Sequence, residues 1–434
     1  MQYITIRSKF ILTILIATAW MVLSIWLSIP WFQELSQHTS TLLAGFLIGF
    51  IAIIPGFMNA FIMVALALDK RPPLKYFDTY PGVTVLVAAY NEENSIEDTV
   101  RSLMKQTYLG ELNVKVINDG SVDNTAEIVR RLLPEFPRLT FLDLKKNAGK
   151  ANALNQGLKE CTSPFVITVD ADCWIWKNGI QNIVGRRLAD PPNTRAVAGA
   201  ILIRNSRQNW LTKAQEWDYF LGISAIKRIQ SLFQGTLVAQ GAFSLYDRQT
   251  LLEVGGWPET VGEDIVLTWQ ILRKGYRVGH AENAIALTRC PESFRQFMRQ
   301  RQRWSRGLIE AFKLTPGILF QRRMHVFYIW WNTLFPLMDL AYSVGFLPGI
   351  FLAMFGHFWI VGPMTLALLP ISVLMNSLMY VRSKATFDEV GLKVRQNRLG
   401  LITYNLLYSI VLQPACVWGY VSEILNLRKT WGTK

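Results

Sequence analysis

Five long apolar runs, all at the two ends of the chain, restrict what this sequence can fold into. Residues 10–32 and 42–68 are almost free of charge, and so are 326–355, 358–380 and 399–421. Each is long enough to cross the ~30 Å of hydrocarbon that takes about 20 helical residues. A single run of this kind reads as a buried core helix, but five confined to the ends do not. The chain is 51% hydrophobic before Gly is counted, whereas soluble domains reach about 45–50% with Gly included. Between 69 and 325 the mixture is that of an ordinary α/β domain.

The first run has the basic start of a signal peptide (Arg7, Lys9). Its apolar part is too long for one, and a second run follows at once, so a retained anchor is expected. The 33–41 loop has no Lys or Arg, whereas Arg7, Lys9, Lys70, Arg71 and Lys75 flank the other sides. The positive-inside rule then places the N-terminus and the central domain in the cytoplasm. The second half gives conflicting signals. The 381–398 loop (Arg382, Lys384, Lys393, Arg395, Arg398) and the tail (Arg428, Lys429, Lys434) are both basic, and one crossing helix between them cannot leave both inside. Pro336, Asp339 and Pro348 predict a kinked or partly interfacial stretch.

A net charge of +14 suits nucleic acid, anionic lipid or a pyrophosphate. There is no nucleic-acid-binding signature, and much of the Lys and Arg lies beside the apolar runs, so lipid and pyrophosphate are expected together. Cys161, Cys173, Cys290 and Cys416 are scattered with no CxxC pair, which predicts neither a zinc site nor a disulfide framework. A reduced cytoplasmic domain fits.

After a Pro-containing linker at 69–81, strands and helices alternate. Val83–Ala88, Leu112–Ile117, Leu139–Leu144 and Phe165–Val169 read as strands, with helices over 93–106, 123–133 and 150–160 between them. This alternation predicts parallel strands with right-handed crossovers and a ligand at their carboxyl ends. Each strand ends in a polar cluster: Tyr90-Asn-Glu92, Asn118-Asp-Gly-Ser121, Asn147-Ala-Gly-Lys150, then Asp170-Ala-Asp172. Further on, Ala196–Ile203 and Leu237–Tyr246 read as strands, and 208–230, Asp247–Val254 and Glu263–Lys274 as helices, with Gly255 a left-handed helix stop. In 294–312, Phe294, Phe297, Trp304, Leu308 and Phe312 recur at helical spacing, with Arg295, Arg299 and Arg306 opposite. That pattern predicts a helix lying on the membrane surface, its basic face toward headgroups or solvent. Arg301 falls inside the apolar stripe, where snorkelling is one account.

Several groups can carry chemistry. Asp170 and Asp172 end a strand, so both can approach one Mg²⁺ or Mn²⁺ that also meets a diphosphate; the plain alternative is a helix cap and a turn acid. Asp119 either stabilises a turn or accepts from a base or ribose, and Tyr90 can stack on a base. Glu92 serves equally as a first-turn helix acid. Lys150 opens a helix, where a cation opposes the dipole, so a bound phosphate is expected to compensate it. No GxxxxGKS/T pattern is present, which disfavours a P-loop. Glu263-Asp264 opens another helix; the plain reading is favourable dipole charge, the chemical one makes Asp264 a general base for a hydroxyl. Two adjacent carboxylates disfavour a double negative charge, so a raised pKa in the pair is expected. Gln300, Arg303 and Trp304 fall within an arc of roughly 100° on a helix, where Arg303 can meet pyrophosphate charge and Trp304 can offer a ring to a sugar.

Taken in order, Tyr90-Asn-Glu92, Asn118-Asp-Gly-Ser121, Asn147-Ala-Gly-Lys150, Asp170-Ala-Asp172, Glu263-Asp264 and Gln300-Arg-Gln-Arg-Trp304 resemble the membrane-bound family 2 glycosyltransferases, which include the poly-N-acetylglucosamine, hyaluronan, chitin and cellulose synthases. The resemblance implies a GT-A domain inserted between N- and C-terminal transmembrane helices, and an inverting mechanism. It implies that Asp119 contacts uracil or ribose, Tyr90, Glu92, Lys150 and Asp170 the UDP-sugar, and Asp172 the metal, Mg²⁺ or Mn²⁺. Asp264 would be the base, with Gln300, Arg303 and Trp304 beside acceptor and pyrophosphate. In length and helix arrangement the chain looks most like bacterial poly-N-acetylglucosamine synthases, though it has Gln240-Gly241 where that group often has Ser-Gly. It also lacks an extension like the regulatory domain of cellulose synthases.

The expected plan is two membrane helices over 1–68, a linker over 69–81, the GT-A domain over 82–293, an interface region over 294–325, and about three membrane helices with a basic tail over 326–434. The partners implied are a UDP-sugar donor, a polysaccharide acceptor, membrane lipid and a small membrane or export subunit, with no nucleic acid. The location implied is the bacterial inner membrane. Two rivals remain: a transferase adding one sugar to a lipid, as ceramide glucosyltransferases do, and a membrane sensor that binds a nucleotide sugar without turnover.

Overall fold

Four parallel strands open the central domain: β1 (Val83–Ala89), β2 (Leu112–Asp119), β3 (Leu139–Leu144) and β4 (Phe165–Val169). The structure, a computed structural model, describes residues 4–70, 75–394 and 396–428, with the side chains of 363–369, 371 and 382 undescribed. Arg71, Arg395, Lys429 and Lys434 of the orientation argument lie outside the described residues, as does the Arg382 side chain.

Helices Ile96–Met104, Thr125–Leu132 and Lys150–Lys159 join these strands, as the alternation predicts. Then follow β5 (Trp174–Ile175), β6 (Thr194–Ile203), β7 (Phe243–Asp247) and β8 (Arg277–Thr288), in a single sheet of order β3-β2-β1-β4-β7-β6-β8-β5. Strand β1 is buried on both faces: Val83, Val85 and Val87 enter one core and Leu86 the other, because side chains alternate along a strand. The core on the Leu86 side continues without a break into the membrane helices. There Phe61 packs on Phe233, Phe327, Tyr328 and Trp331.

Three expectations change. The strand expected over Leu237–Tyr246 is cut to β7, which runs antiparallel to β4 and β6. Ahead of it the chain leaves the ladder, and Ala239 N–H donates to Thr268 Oγ1 instead. Strand β8 was not foreseen, because its Gly, Asn and three Ala residues dilute the β-branched signal. The long helix read over 208–230 runs as Trp210–Asp218, a π-helical turn at Tyr219–Ala225, and Ile226–Leu232. Gly255 is the left-handed stop expected, with φ 87°.

Among the described residues, four helices are long and apolar enough to cross a membrane: Ile6–Leu27, Thr41–Leu68, His325–Met354 and Arg398–Ile424. Most of the 358–380 run lies in a further long helix, Pro363–Glu389, which begins after a turn at 357–362. The turn after Ile6–Leu27 folds as a short helix, Ile29–His38. It meets the turn before Pro363: Trp31 Nε1 donates to Trp359 O (2.8 Å), and His38 stacks on the Trp359 ring (3.9 Å). At the other end of these helices, residues 390–397 grip the central domain. Trp176 Nε1 donates to Val390 O and Trp217 Nε1 to Asn397 O, both at 2.8 Å. His325–Met354 passes Pro336 and a π-helical turn at Tyr342–Phe346 as one continuous rod.

Of the three arginines expected opposite the apolar stripe of the helix Phe294–Leu314, Arg295 and Arg299 are exposed and Arg306 is not. Arg306, expected to face outward, is 6% exposed. It pairs with Glu423 (3.1 Å) and donates to Leu427 O and Arg428 O. A carboxylate and two helix-end carbonyls recruit it inward, since a buried guanidinium must be paired and hydrogen-bonded. The helix therefore packs along Ser409–Ile424, with Ser305 against Gly419.

Candidate active site

The polar strand ends converge above β1, β2 and β4. Asp119 ends β2 almost fully buried, and its carboxylate accepts the N–H groups of Ala148 (3.0 Å) and Gly149 (2.8 Å). Burial pushes its pKa up, and those two N–H groups hold it back. Asp119 thus fastens the loop ahead of the Lys150 helix, and two accepted N–H groups leave its carboxylate lone pairs with which to accept from a base or ribose. Nearby, Asn91 N–H donates to Ser121 Oγ (3.0 Å) and Val122 N–H to Asn91 Oδ1 (3.0 Å), locking the first two motifs together.

Lys150 opens its helix beside two carboxylates. Its Nζ lies 2.5 Å from Asp170 Oδ1 and 3.2 Å from Glu263 Oε1. Burial works against its charge, but Asp170, Glu263 and Asp264 outweigh that, and the net pKa is raised. Gly241 permits the approach: a Cβ there would lie 2.5 Å from Lys150 Nζ.

Asp170 Oδ, Asp172 Oδ and Cys173 Sγ lie within 4.8 Å of one another. Burial, then the charges of Asp170 and Glu92, push Asp172 up to about 6. Burial and the same two aspartates drive the Cys173 thiol well above its ordinary value, so it stays protonated. The useful donors are therefore two carboxylates, a hard oxygen set for Mg²⁺ or Mn²⁺ rather than zinc. Crowded negative charge that lifts Asp172 is the condition a cation relieves, so the residues present fit one.

Glu263 and Asp264 begin the helix Glu263–Arg273, capped by Gly262. The raised pKa expected of this pair falls on Glu263, at about 7. Burial raises it, Lys150 opposes, and Asp264 and Asp170 add to it. Asp264 Oδ2 faces the Gly241 N–H at 3.4 Å. The start of this helix touches the Phe294–Leu314 helix directly. Gly262 N–H donates to Glu310 Oε2 (2.9 Å), and a Cβ on Gly262 would lie 2.5 Å from Gly307 Cα. Arg303 is one helical turn before Gly307, on the same face of its helix as this glycine crossing. Arg303 is half-buried and has no ion pair among the described residues. Trp304 is 40% exposed and Gln300 is buried.

Lys150, Asp170, Asp172, Glu263 and Asp264 thus form one charged cluster, while Arg303 and Trp304 lie on the neighbouring Phe294–Leu314 helix that touches the start of the Glu263–Arg273 helix. Tyr90 is exposed at the rim. Glu92 accepts Ser95 Oγ–H (2.6 Å) and lies before the helix, whose first-turn acids are Glu97 and Asp98; the first-turn reading of Glu92 is corrected.

Sequence reasoning missed three groups. Lys227 is 5% exposed, without a hydrogen bond or ion pair among the described residues. Burial lowers its pKa to about 7, and Asp264 pulls the other way. Its Lys-Arg setting looks like a solvated helix face, and no local signal marks it. Glu310 looks like an ordinary helix acid. Arg301 does not snorkel. It is 4% exposed, 2.9 Å from Asp218, with its guanidinium over the rings of Trp304, Phe297, Tyr219 and Tyr408 at 4.1, 5.0, 5.7 and 5.9 Å. A charge between Phe297 and Trp304, at i−4 and i+3, was a signal for half of such a box, whereas Tyr219 and Tyr408 come from distant segments.

Comparisons with known proteins agree with this geometry. Residues 84–255 match the family described as glycosyl transferase family 2. A poly-beta-1,6-N-acetyl-D-glucosamine synthase of Staphylococcus aureus (strain MSSA476) is 35% identical over 242 residues, 56% of this chain and 58% of that one. Its counterpart in Staphylococcus epidermidis is 34% identical over 227 residues, 52% of this chain and 54% of that one. The matched stretch thus spans little more than half the length of these curated relatives. A mannosyltransferase from Pyrobaculum calidifontis, solved in complex with GDP-Man and Mn²⁺, superposes with a TM-score of 0.59 at 21% identity, covering 89% of this chain and 100% of that one. The central domain is a mixed α/β domain of GT-A type.

Proposed function

We propose, for a chain that carries a glycosyl transferase family 2 domain, that it is an inverting glycosyltransferase, passing N-acetylglucosamine from a UDP-sugar to a growing β-linked polysaccharide. The observation that carries this reading is the cluster of Lys150, Asp170, Asp172, Glu263 and Asp264, drawn from separate strand and helix ends. The relatives named as poly-N-acetylglucosamine synthases support the sugar and the polymer.

In this reading Asp172, with Asp170 beside it, holds Mg²⁺ or Mn²⁺, and the cation would neutralise the departing diphosphate. Mn²⁺ accompanies the nucleotide sugar in the mannosyltransferase complex. Asp264 accepts the proton of the acceptor hydroxyl, kept in place by the Gly241 N–H. The hydroxyl oxygen bonds to the anomeric carbon from the face opposite the phosphate. The bond to the phosphate oxygen breaks, its electron pair leaves with UDP, and the configuration inverts. Lys150 and Arg303 offset the charge of the pyrophosphate. Tyr90, Glu92 and Asp119 border the nucleotide, Asp119 through the 147–149 loop it fastens. Trp304 offers its exposed ring to the acceptor sugar, with Gln300 beside it.

The same reading places the protein in a bacterial inner membrane with the domain in the cytoplasm and the polymer exported through the helices. Ile6–Leu27, Thr41–Leu68, His325–Met354 and Pro363–Glu389 make four crossings. The two outer turns, meeting through Trp31 and Trp359, support that count. Arg398–Ile424 then lies along the domain and does not cross. Asn397 at its start donates to Lys213 O (2.9 Å), and Glu423 at its end holds Arg306 and Lys313. Such a helix leaves both basic flanks on one side, as the positive-inside rule requires.

Membranes containing the full chain, incubated with a panel of UDP-sugars, test the reaction. The expected product is a long polymer from UDP-N-acetylglucosamine that a β-1,6-specific hydrolase degrades. A single-sugar lipid overturns the polymer, and another sugar overturns the donor.

A further inference from the structure

Away from the cluster, a groove of ≈ 750 Å³ opens between the start of the Ile6–Leu27 helix and the His325–Met354 helix. Phe10, Ile14 and Phe327 form apolar wall, with Phe10 and Phe327 edge to face at 5.7 Å. Arg7, Arg322 and Arg323 line the same groove. All three are exposed, and none has an acid partner among the described residues. The arginines sit where the two helices emerge beside the central domain, and the apolar wall runs down the helices from there.

We propose that this groove binds one anionic phospholipid of the leaflet on the domain side, its phosphate on Arg7, Arg322 and Arg323 and an acyl chain along Phe10, Ile14 and Phe327. The inference rests on the reading that these two helices cross the membrane. Charge complementarity selects the headgroup: three unpaired guanidiniums offer forked donors that match phosphate oxygens. The walls select a lipid over free phosphate, because a small anion leaves the apolar surface uncovered, whereas an acyl chain removes it from water. The volume lies within the roughly 300–1,000 Å³ typical of ligand sites. A zwitterionic lipid would cover the walls equally well but bring its own cation to the arginines, so phosphatidylglycerol is expected to win over phosphatidylcholine.

The test uses the purified full chain in detergent, with native mass spectrometry and thermal unfolding. Phosphatidylglycerol is expected to stay bound and raise the Tm more than phosphatidylcholine, and inorganic phosphate to do neither. The R7Q/R322Q/R323Q variant is expected to lose about tenfold of that preference, since each basic group near the surface adds its own attraction to anionic lipid. Ile14→Trp, which fills the groove and leaves the arginines intact, is expected to lower binding of both lipids and covers the case of a triple variant that does not fold. Equal binding of the two lipids, an unchanged triple variant, or an equal response to phosphate overturns the proposal. Failure of the membrane reading shows separately, as protein that carbonate washing strips from membranes.

Discussion

The guanidinium of Arg301 lies 4.1 Å from the centre of the Trp304 ring, and one of its nitrogens 2.9 Å from Asp218. The ring offered to the acceptor is thus held from behind by a buried ion pair, which Tyr408 extends by donating its hydroxyl to Asp218 at 2.9 Å. Arg301→Gln leaves Asp218 buried and unpaired, a loss of roughly 3–5 kcal/mol when one partner of such a pair is removed. Thermal unfolding in detergent checks it. The double variant R301M/D218N is expected to recover a good part of the loss, and non-recovery would show that the box, not the pair, carries the stability.

Asp264→Asn is expected to lower transfer by about 10²–10⁴-fold, the usual contribution of a positioned base. UDP affinity should stay nearly unchanged. Coupled UDP-release assays and calorimetric UDP binding give the two readouts. If the variant keeps most of its turnover, the base is another group.

The pKa of Asp172, raised to about 6, predicts how metal binding depends on pH. Protons and the cation compete for the carboxylate, so Mn²⁺ affinity in the presence of UDP is expected to fall by about tenfold for each pH unit below about 6. Asp172→Asn should weaken binding at every pH and flatten the dependence. Titration calorimetry across that window is the measurement, and a parent protein with flat affinity would exclude Asp172 as a ligand.

Lys227 predicts how stability depends on pH. Its folded pKa, about 7, lies below the ordinary lysine value of 10.5. Between these values the unfolded chain binds more protons, so stability rises with pH across the window and is lost as pH falls toward about 7. Lys227→Met removes this dependence. Its Tm advantage over the parent is expected to be largest near about pH 6.5 and to shrink toward about pH 10. An advantage that does not change with pH would mean that the amine carries no buried charge.

Reporter fusions test the membrane arrangement. A fusion after Arg428 and one in the 390–397 loop should report the same side as the central domain, and one at Gly356 the opposite side. A fusion after Arg428 on the far side would make Arg398–Ile424 a crossing helix.

Much of this architecture is written in local pattern. Val83–Ala89 and Phe165–Val169 are runs of β-branched and apolar residues that form strands wherever both faces are covered, and the polar residues after them can only lie at strand ends. Strand β8 was hidden because Gly279, Ala281 and Ala286 take strand geometry from pairing with β6, and the stretch between Ala281 and Ile285 breaks the register. The long apolar helices were legible as composition, but composition does not tell a crossing helix from one laid along a protein. For Arg398–Ile424 the proposed difference rests on Asn397, which meets Lys213 of the domain, and Glu423, which meets Arg306 of the Phe294–Leu314 helix.

By itself, the sequence determined the α/β alternation, the long apolar helices at the two ends and the identity of the acids at the strand ends, since these follow from periodicity, length and residue chemistry. Only the tertiary structure decided what those residues face. Asp119 fastens a loop, Lys150 meets two carboxylates, and Arg301 and Arg306 turn inward, because each buried charge takes the partner that folding brings within hydrogen-bond reach. Those partners lie 20 to 117 residues away in the chain, beyond the range of any local pattern.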